Sequence, residues 1–273
     1  MPTPFFTIIT ATYNAAVILP RLLESLTSQT CRDFEVIIQD GASTDETAAV
    51  AESWRERLPV LSLVSEPDTG IYDAWNKALP RIRGQWVLFL GADDFLNNPA
   101  ALANAMERLT AVSPGIDYVS TPVIVVNADG LALRTKYPLP HPRQNFYKRM
   151  PLPHSGLFHR AALFTSQRFD DAYRIAGDYD FLCRTLTDDN YVLLEAPCVC
   201  MAMDGISSHP DSVAVNCKES LYALRRYFPE QSARTLQLRL FLIRIYQLLA
   251  PCLGRNLSVR LLEWYRQRSH RPC

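Results

Sequence analysis

From Phe5 to Leu90 the chain alternates apolar, β-branched runs of strand length with segments of helical periodicity, and this constrains its fold more than any other feature. Phe5 to Thr12 is one continuous run, the pattern of a strand buried on both faces. Leu19, Leu22, Leu23 and Leu26 follow as a single helical stripe. Phe34 to Gln39 reads as a second strand, and Ser43 with Glu46 as a capping box opening a helix from Thr44 to about Arg57. A third strand is expected at Val60 to Ser65. Ile71, Ala74, Trp75, Ala78 and Leu79 then predict a helix ended by Gly84, and Trp86 to Leu90 a fourth strand. Such alternation implies an α/β fold with parallel pairing, helices on both faces and ligands at the carboxyl ends of the strands.

Beyond about residue 112 the order loosens. Tyr118 to Val126 and Leu131 to Tyr137 flank Asn127-Ala-Asp-Gly130 as a hairpin. A Pro-rich basic loop, 138–153, leads to a short helix around Asp178-Tyr-Asp-Phe-Leu-Cys-Arg-Thr-Leu186. The expected organisation is one half of a domain over 1–112, a second half of the same domain over 113–229, and a basic amphipathic tail over 230–273.

The formal net charge is zero, which excludes a polycationic nucleic-acid binder, yet the zero is a cancellation. From Gln231 onward eight arginines face one acid, giving +7, and residues 1–230 hold 20 bases against 27 acids, giving −7. Leu238, Phe241, Leu242, Ile245, Leu248 and Leu249 form an apolar arc opposite Gln237, Arg239, Arg244 and Gln247. Pro251 ends that helix, and Leu257, Leu261, Trp264 and Tyr265 form a second stripe among arginines. Two readings stand: residues 236–268 lie on an anionic membrane surface, or they pack on the body or in a homodimer interface. Seven cysteines without metal-ligand spacing point to a reduced, cytoplasmic chain. No positive n-region precedes the first apolar run, and no stretch reaches about 18 apolar residues, so neither signal peptide nor spanning helix is expected.

Gly-x-Gly-x-x-Gly, the P-loop and the Gly-x-Ser-x-Gly elbow are all absent, which argues against dinucleotide, ATPase and serine-hydrolase sites. The strand ends are instead acidic: Asp40 and Asp45, then Glu66, Asp68 and Asp73, then Asp93 with Asp94. Clustered carboxylates repel unless a cation or hydrogen-bond donors occupy the rim. Open carboxylate sites suit Mg²⁺ or Mn²⁺, and the adjacent Asp93–Asp94 pair is the metal candidate. Asp45, Asp68 and Asp73 read first as caps or surface residues.

Phe6-Thr-Ile-Ile-Thr-Ala-Thr-Tyr-Asn14, Val36-Ile-Ile-Gln-Asp-Gly-Ala-Ser-Thr-Asp45, Ser65-Glu-Pro-Asp-Thr-Gly-Ile-Tyr-Asp-Ala-Trp-Asn-Lys77 and Val87-Leu-Phe-Leu-Gly-Ala-Asp-Asp94 together resemble the ordered motifs of family 2 glycosyltransferases of the GT-A fold. The bacterial exopolysaccharide and lipopolysaccharide branch is the most similar in flavour, and the resemblance implies that 1–112 is the nucleotide-sugar-binding half and 113–229 the acceptor-binding half. The resemblance implies that Thr12, Tyr13 and Asn14 border the donor nucleotide and that Asp40 hydrogen-bonds the base, of a UDP- or GDP-sugar. It implies that Asn76 and Lys77 face ribose or diphosphate, and that Asp93 and Asp94 hold ribose and metal between them. Relatives carry a further acid where Gly91 stands. Ala176-Gly-Asp-Tyr-Asp180 matches the segment bearing the base, with Gly177 in place of a Glu, so Asp178 is the expected base and Asp180 its support or a helix cap. His154, Tyr179 and Asp180 are expected on the acceptor side, and Gly205-Ile-Ser-Ser-His209 resembles a segment that closes over the nucleotide.

The implied activity is metal-assisted, inverting transfer of a sugar to a hydroxyl of a growing glycan, with a glycan or polyprenyl-diphosphate-linked acceptor. The chain would then work in the cytoplasm, peripheral to the inner face of the plasma membrane. The alternative is a catalytically inactive nucleotide-sugar or glycan-binding protein of the same fold, motivated by Gly91 and Gly177. A nucleotidyltransferase is disfavoured because no basic Gly-rich loop follows the first strand, and a processive synthase because spanning helices and Gln-x-x-Arg-Trp are missing.

Overall fold

The alternation reappears in a computed structural model, described here over residues 3–203 and 210–249. Strands β1 (Phe6–Thr12), β2 (Phe34–Asp40), β3 (Leu61–Ser65) and β4 (Trp86–Phe89) pair in parallel, with β1 between β2 and β4. Helices α1 (Leu19–Thr27), α2 (Thr47–Glu52) and α3 (Ile71–Ala78) form the crossovers. The α1 stripe of Leu19, Leu22, Leu23 and Leu26 is wholly buried, as its spacing predicts. A short β5 (Phe95–Leu96) and helix α4 (Ala101–Thr110) follow.

The run from Tyr118 to Val126 is divided between two sheets. β6 (Tyr118–Ser120) joins the main sheet, whereas β7 (Val123–Val126) pairs with β8 (Ala132–Lys136) as the expected antiparallel hairpin. Pro122 stands between the two strands, where a missing N–H interrupts a ladder. β9 (Leu157–Arg160) runs antiparallel between β4 and β6, and β10 (Tyr191–Leu193) adds to β6, completing seven strands. β11 (Val199–Ala202) lies between β5 and β7 in a second, four-stranded sheet. The two halves expected from sequence therefore share one sheet across the β4–β9 seam.

Side-chain alternation splits β1 between two cores. Phe6 and Ile8 pack with α1 and α4, and Ile9 packs with Trp75, Phe89 and helix α5 (Gly177–Thr185) on the other face. Helices α6 (Pro210–Tyr227) and α7 (Arg234–Leu249) close this second core. None of the described helices is long and apolar enough to cross a membrane.

Two local expectations change. Helix α2 starts at Thr47, and Ser43 and Glu46 form no capping box. Asp45 instead accepts the Thr47 N–H at 3.0 Å, because Ser43 is drawn to the Asp40 carboxylate. Gly84 does not end α3, which stops at Ala78 and passes into a 3₁₀ turn at Leu79–Arg81. It marks a close approach: a Cβ there would lie 2.6 Å from Phe6 C and Thr7 N.

Helix α7 packs on the body along one side, and its other side is exposed. Leu236 and Ile243 are buried in the core, with Leu240 beside them. The arc expected to be its apolar face points to solvent, with Phe241 60% and Leu248 76% exposed. Residues 205–209 and the second tail stripe lie outside the described residues.

Gly84→Ala should lower stability by ~1–3 kcal/mol, as overpacking against backbone does. Urea unfolding against Gly115→Ala, where a Cβ would meet nothing within 4 Å, tests this, and equal midpoints would refute it.

Candidate active site

The register of the parallel strands brings Thr12 beside Asp40 and Asp40 beside Ser65 at their carboxyl ends. Asp40 is fully buried and accepts from Thr12 Oγ1 at 2.9 Å, Ser65 Oγ at 2.6 Å, and Ser43 N and Oγ at 2.9 and 2.5 Å. Burial pushes its pKa up, but the donors from Ser43, Ser65 and Thr12 together outweigh it and hold the carboxyl below its ordinary range. A carboxylate has about four lone-pair directions, so direct contact with a nucleobase requires one serine hydroxyl to turn away.

Asn14 adopts the left-handed conformation, φ 49°, and clasps the following loop. Its Oδ1 accepts from Thr44 N at 2.9 Å and its N–H donates to Ser43 Oγ at 2.8 Å. Tyr13, between Thr12 and Asn14, is left 66% exposed at the edge. The lesser acids serve the turns: Asp68 accepts from Gly70 N, and Asp73 accepts from Thr69 N in the first turn of α3.

After β4, Asp93 and Asp94 turn back over Gly91. Gly91 N donates to Asp94 Oδ2 at 2.9 Å, and a Cβ at residue 91 would sit 2.7 Å from Asp93 Oδ1 and 3.3 Å from Asp94 Oδ2. The glycine thus forms a cradle that an acid at this position would fill. Burial, and then the neighbouring Asp93 charge, push the Asp94 carboxyl up to about 7. Two adjoining carboxylates with hard oxygen donors fit a divalent Mg²⁺ or Mn²⁺ that takes its remaining ligands from water and phosphate. Among the described residues no group of three or more His, Cys, Asp or Glu is placed to hold a metal, so the pair supplies at most part of a shell.

Asp178 sits in the first turn of α5, where the helix dipole favours a negative charge. Its Oδ1 lies 3.2 Å from the Tyr72 hydroxyl, which donates to Ile175 O at 2.7 Å, and it accepts from Tyr179 N at 2.8 Å. A Cβ on Gly177 would stand 2.8 Å from the Tyr72 ring, so glycine is what lets Tyr72 reach Asp178. Glu219 of α6 fixes the preceding loop by accepting the N–H groups of Arg174, Ile175 and Ala176 at 2.8–2.9 Å. A cavity of about 60 Å³ opens beside Asp178, lined by Tyr179, Asn216, Ser220, Leu236, Arg149 and Arg239. A larger concavity at α1 and α4, beside Thr30 and Met106, contains none of the candidate residues.

Other expected residues are spoken for by the fold. Both ends of the Asn76 amide pair with the Phe169 backbone, at 2.9 and 3.0 Å. Lys77 donates to Pro67 O at 2.7 Å and pairs with Asp73 at 3.0 Å. His154 stacks on Trp75 and Phe89, its two nitrogens covered and without hydrogen-bond partners, and burial lowers its pKa. Asp180 is 1% exposed and paired with Arg184 at 2.8 Å, which suits support of the helix rather than contact with an acceptor. Tyr179 anchors its hydroxyl on Phe146 O while its side lines the cavity.

Sequence reasoning missed Tyr72, Ser65 and Glu219. Tyr72 and Ser65 lie inside a motif quoted for its other residues, and Glu219 carries no local pattern because its partners are 43–45 residues away.

The Asp94 carboxyl is raised in the native state, so the native chain binds the extra proton and stability falls as pH rises from about 4 towards 7. Metal-free Asp94→Asn should therefore gain on the parent chain between pH 5 and 8, by ~2–4 kcal/mol at the upper end. Melting curves across that range test it, and a constant difference would contradict the assignment.

Comparison with known proteins completes the site. The sequence model of "Glycosyl transferase family 2" matches residues 7–174. A PGL/p-HBAD biosynthesis glycosyltransferase of Mycobacterium tuberculosis is 34% identical over 190 residues, covering 69% of this chain and 72% of the relative. Escherichia coli chondroitin synthase is 28% identical over 178 residues, 65% of this chain and 26% of the synthase. A Pyrobaculum calidifontis mannosyltransferase, solved with GDP-Man and Mn²⁺, superposes with a TM-score of 0.63 at 20% identity, covering 98% of this chain and 84% of that one. S. aureus TarS, solved with UDP-GlcNAc, gives 0.62 at 20% identity over 86% and 70%. These neighbours are GT-A glycosyltransferases, and with a shared mixed sheet and matching motifs the chain has the GT-A fold and belongs to glycosyltransferase family 2.

Proposed function

We propose that the chain transfers a sugar from a UDP- or GDP-sugar to a hydroxyl of a growing, lipid-linked glycan, with inversion at the anomeric carbon. The observation that carries this reading is the meeting of two carboxylate sites across one loop. Ser155 lies within interaction range of Asp94, and the adjacent His154 lies in the field of Asp178. The loop that carries them stands between the acid groups at the end of β4 and the one at the start of α5.

Thr12, Tyr13 and Asn14 border the nucleotide in this reading, and Asp40 meets the base when a serine hydroxyl swings out. Asp93 and Asp94 hold a divalent cation, which when bound offsets charge developing on the leaving diphosphate. Asp178 accepts the proton from the acceptor hydroxyl. As that oxygen bonds to the anomeric carbon, the bond to the diphosphate breaks and the nucleoside diphosphate departs with the electron pair. Tyr72 and the Glu219 clamp hold Asp178 for this step.

The outer stripe of α7 suits an anionic bilayer. Leu238, Phe241, Leu242, Ile245 and Leu248 are exposed together, with Arg244 on the same outward surface, in a tail carrying +7. A single apolar helical stripe without spanning length matches a peripheral association at the membrane.

Asp178→Asn should reduce transfer at least ~10³-fold while UDP affinity in Mn²⁺ changes less than about twofold, since only the proton acceptor is lost. Near-normal turnover in that variant would sink the role. Vesicles with anionic lipid should bind the full chain in low salt and release it in high salt. Phe241→Ser with Leu248→Ser should weaken that binding about tenfold or more, given the apolar area removed. Unchanged binding, or a dimer that the same substitutions disperse, would assign the stripe elsewhere.

A further inference from the structure

Four cations from three separate parts of the chain gather near Asp178 and Asp94. Arg134 and Lys136 alternate onto one face of β8, Arg149 comes from the Pro-rich loop, and Arg239 comes from α7. Arg149 and Arg239 line the cavity that Asp178 opens into, with the neutral donors Asn216 and Ser220. Lys136 lies within the fields of Arg134, Arg149 and Arg239, and of Asp94. All four are half-buried.

We propose that Arg134, Lys136, Arg149 and Arg239 form an oxyanion subsite on the acceptor side, holding a phosphate or diphosphate group of the molecule that receives the sugar. The proposal rests on the reading of Asp178 as the base, because the group that deprotonates the acceptor must face it.

Three observations support an anion rather than a structural role. Like charges brought together out of water oppose one another, and the burden shows: burial, then the neighbouring arginines, depress Lys136 to about 8, and burial followed by Arg134 depresses Arg149. Arg134 Nε is enclosed and has no hydrogen-bond partner. Arg149 donates to Tyr137 O at 2.9 Å, and the acid whose field reaches Lys136 is Asp94, assigned to the cation. A phosphate oxyanion would supply an acceptor to Arg134 Nε, and guanidinium forks match it in two-point contact.

The acceptor side is indicated by the cavity, which Arg149 and Arg239 line together with Asp178, the expected base. Helix α7 also links the subsite to lipid, since Arg239 faces the cavity while Phe241 and Leu248 project outward. An acceptor with a phosphate next to an apolar chain would meet both surfaces of one helix.

Inorganic pyrophosphate without metal is the probe, titrated into the full chain by calorimetry, with UDP plus Mn²⁺ titrated separately. Pyrophosphate should bind the parent chain, and Arg149→Gln with Arg239→Gln should weaken it about tenfold or more, as loss of charge-assisted bonds does. UDP affinity should move less than about twofold. Arg149→Lys, which keeps the charge but not the fork, should weaken pyrophosphate severalfold and covers the case in which the double variant does not fold. Pyrophosphate affinity unchanged in the variants would overturn the subsite. A parallel loss of UDP affinity would overturn its assignment to the acceptor. A parent chain that binds no UDP in Mn²⁺ would instead refute the glycosyl-transfer reading, in a measurement separate from the pyrophosphate titration.

Discussion

The carboxyl edge of the sheet depends on one buried charge. Asp40 is out of water, and an unpaired carboxylate in that position would cost several kcal/mol. Four hydrogen bonds from Thr12, Ser43 and Ser65 offset this, each to a charged acceptor and so among the stronger kind. Those from Thr12 and Ser65 exist only when β1, β2 and β3 hold their register, because the two residues are the direct lateral neighbours of Asp40. A slip of one residue would turn each side chain to the other face. At the opposite end Glu35 plays the same part, accepting from Thr7 Oγ1 and Arg83 and securing the turn into β4. Two satisfied buried carboxylates thus pin the strands whose ends carry the site.

Gly91 and Gly177, where the family 2 resemblance implies acids, have a common physical reason. Gly91 leaves space into which the Asp93 and Asp94 carboxylates fold, and Gly177 leaves space for the Tyr72 ring. An acid at either place would collide with the group that now fills the room. Asp178 is braced by the Tyr72 hydroxyl in the room that Gly177 leaves.

Helix α7 is apolar on two sides. Leu236 anchors it in the second core, Ile243 is buried, Arg239 reaches the cavity, and Phe241 and Leu248 stand in solvent. Its inward contacts make it part of the domain, so the boundary expected at residue 230 falls within a packed unit. Of the tail arginines in the described residues, Arg239 lines the cavity, and Arg234 and Arg244 are exposed.

The sequence by itself determined the elements and their kind. Period-two and period-3.6 patterns through residue 90 specify β1 to β4 and the buried stripe of α1, because burial on a sheet or one helical face leaves a local signature. The hairpin of β7 and β8 and the acids of the site were legible for the same reason, since turn residues and strand ends are marked locally. Only the tertiary structure decided what spans distance. It assigned Ser43 to Asp40 rather than to a capping box, and gave Asn76 to the Phe169 backbone. It placed Tyr72 and Glu219 around Asp178, and turned the expected apolar face of α7 outward. Ser43 and Asp40 are three residues apart, but the other partners lie tens of residues apart in the chain. Local periodicity cannot rank them, and packing of the two cores chooses the one that leaves fewest buried polar groups unsatisfied.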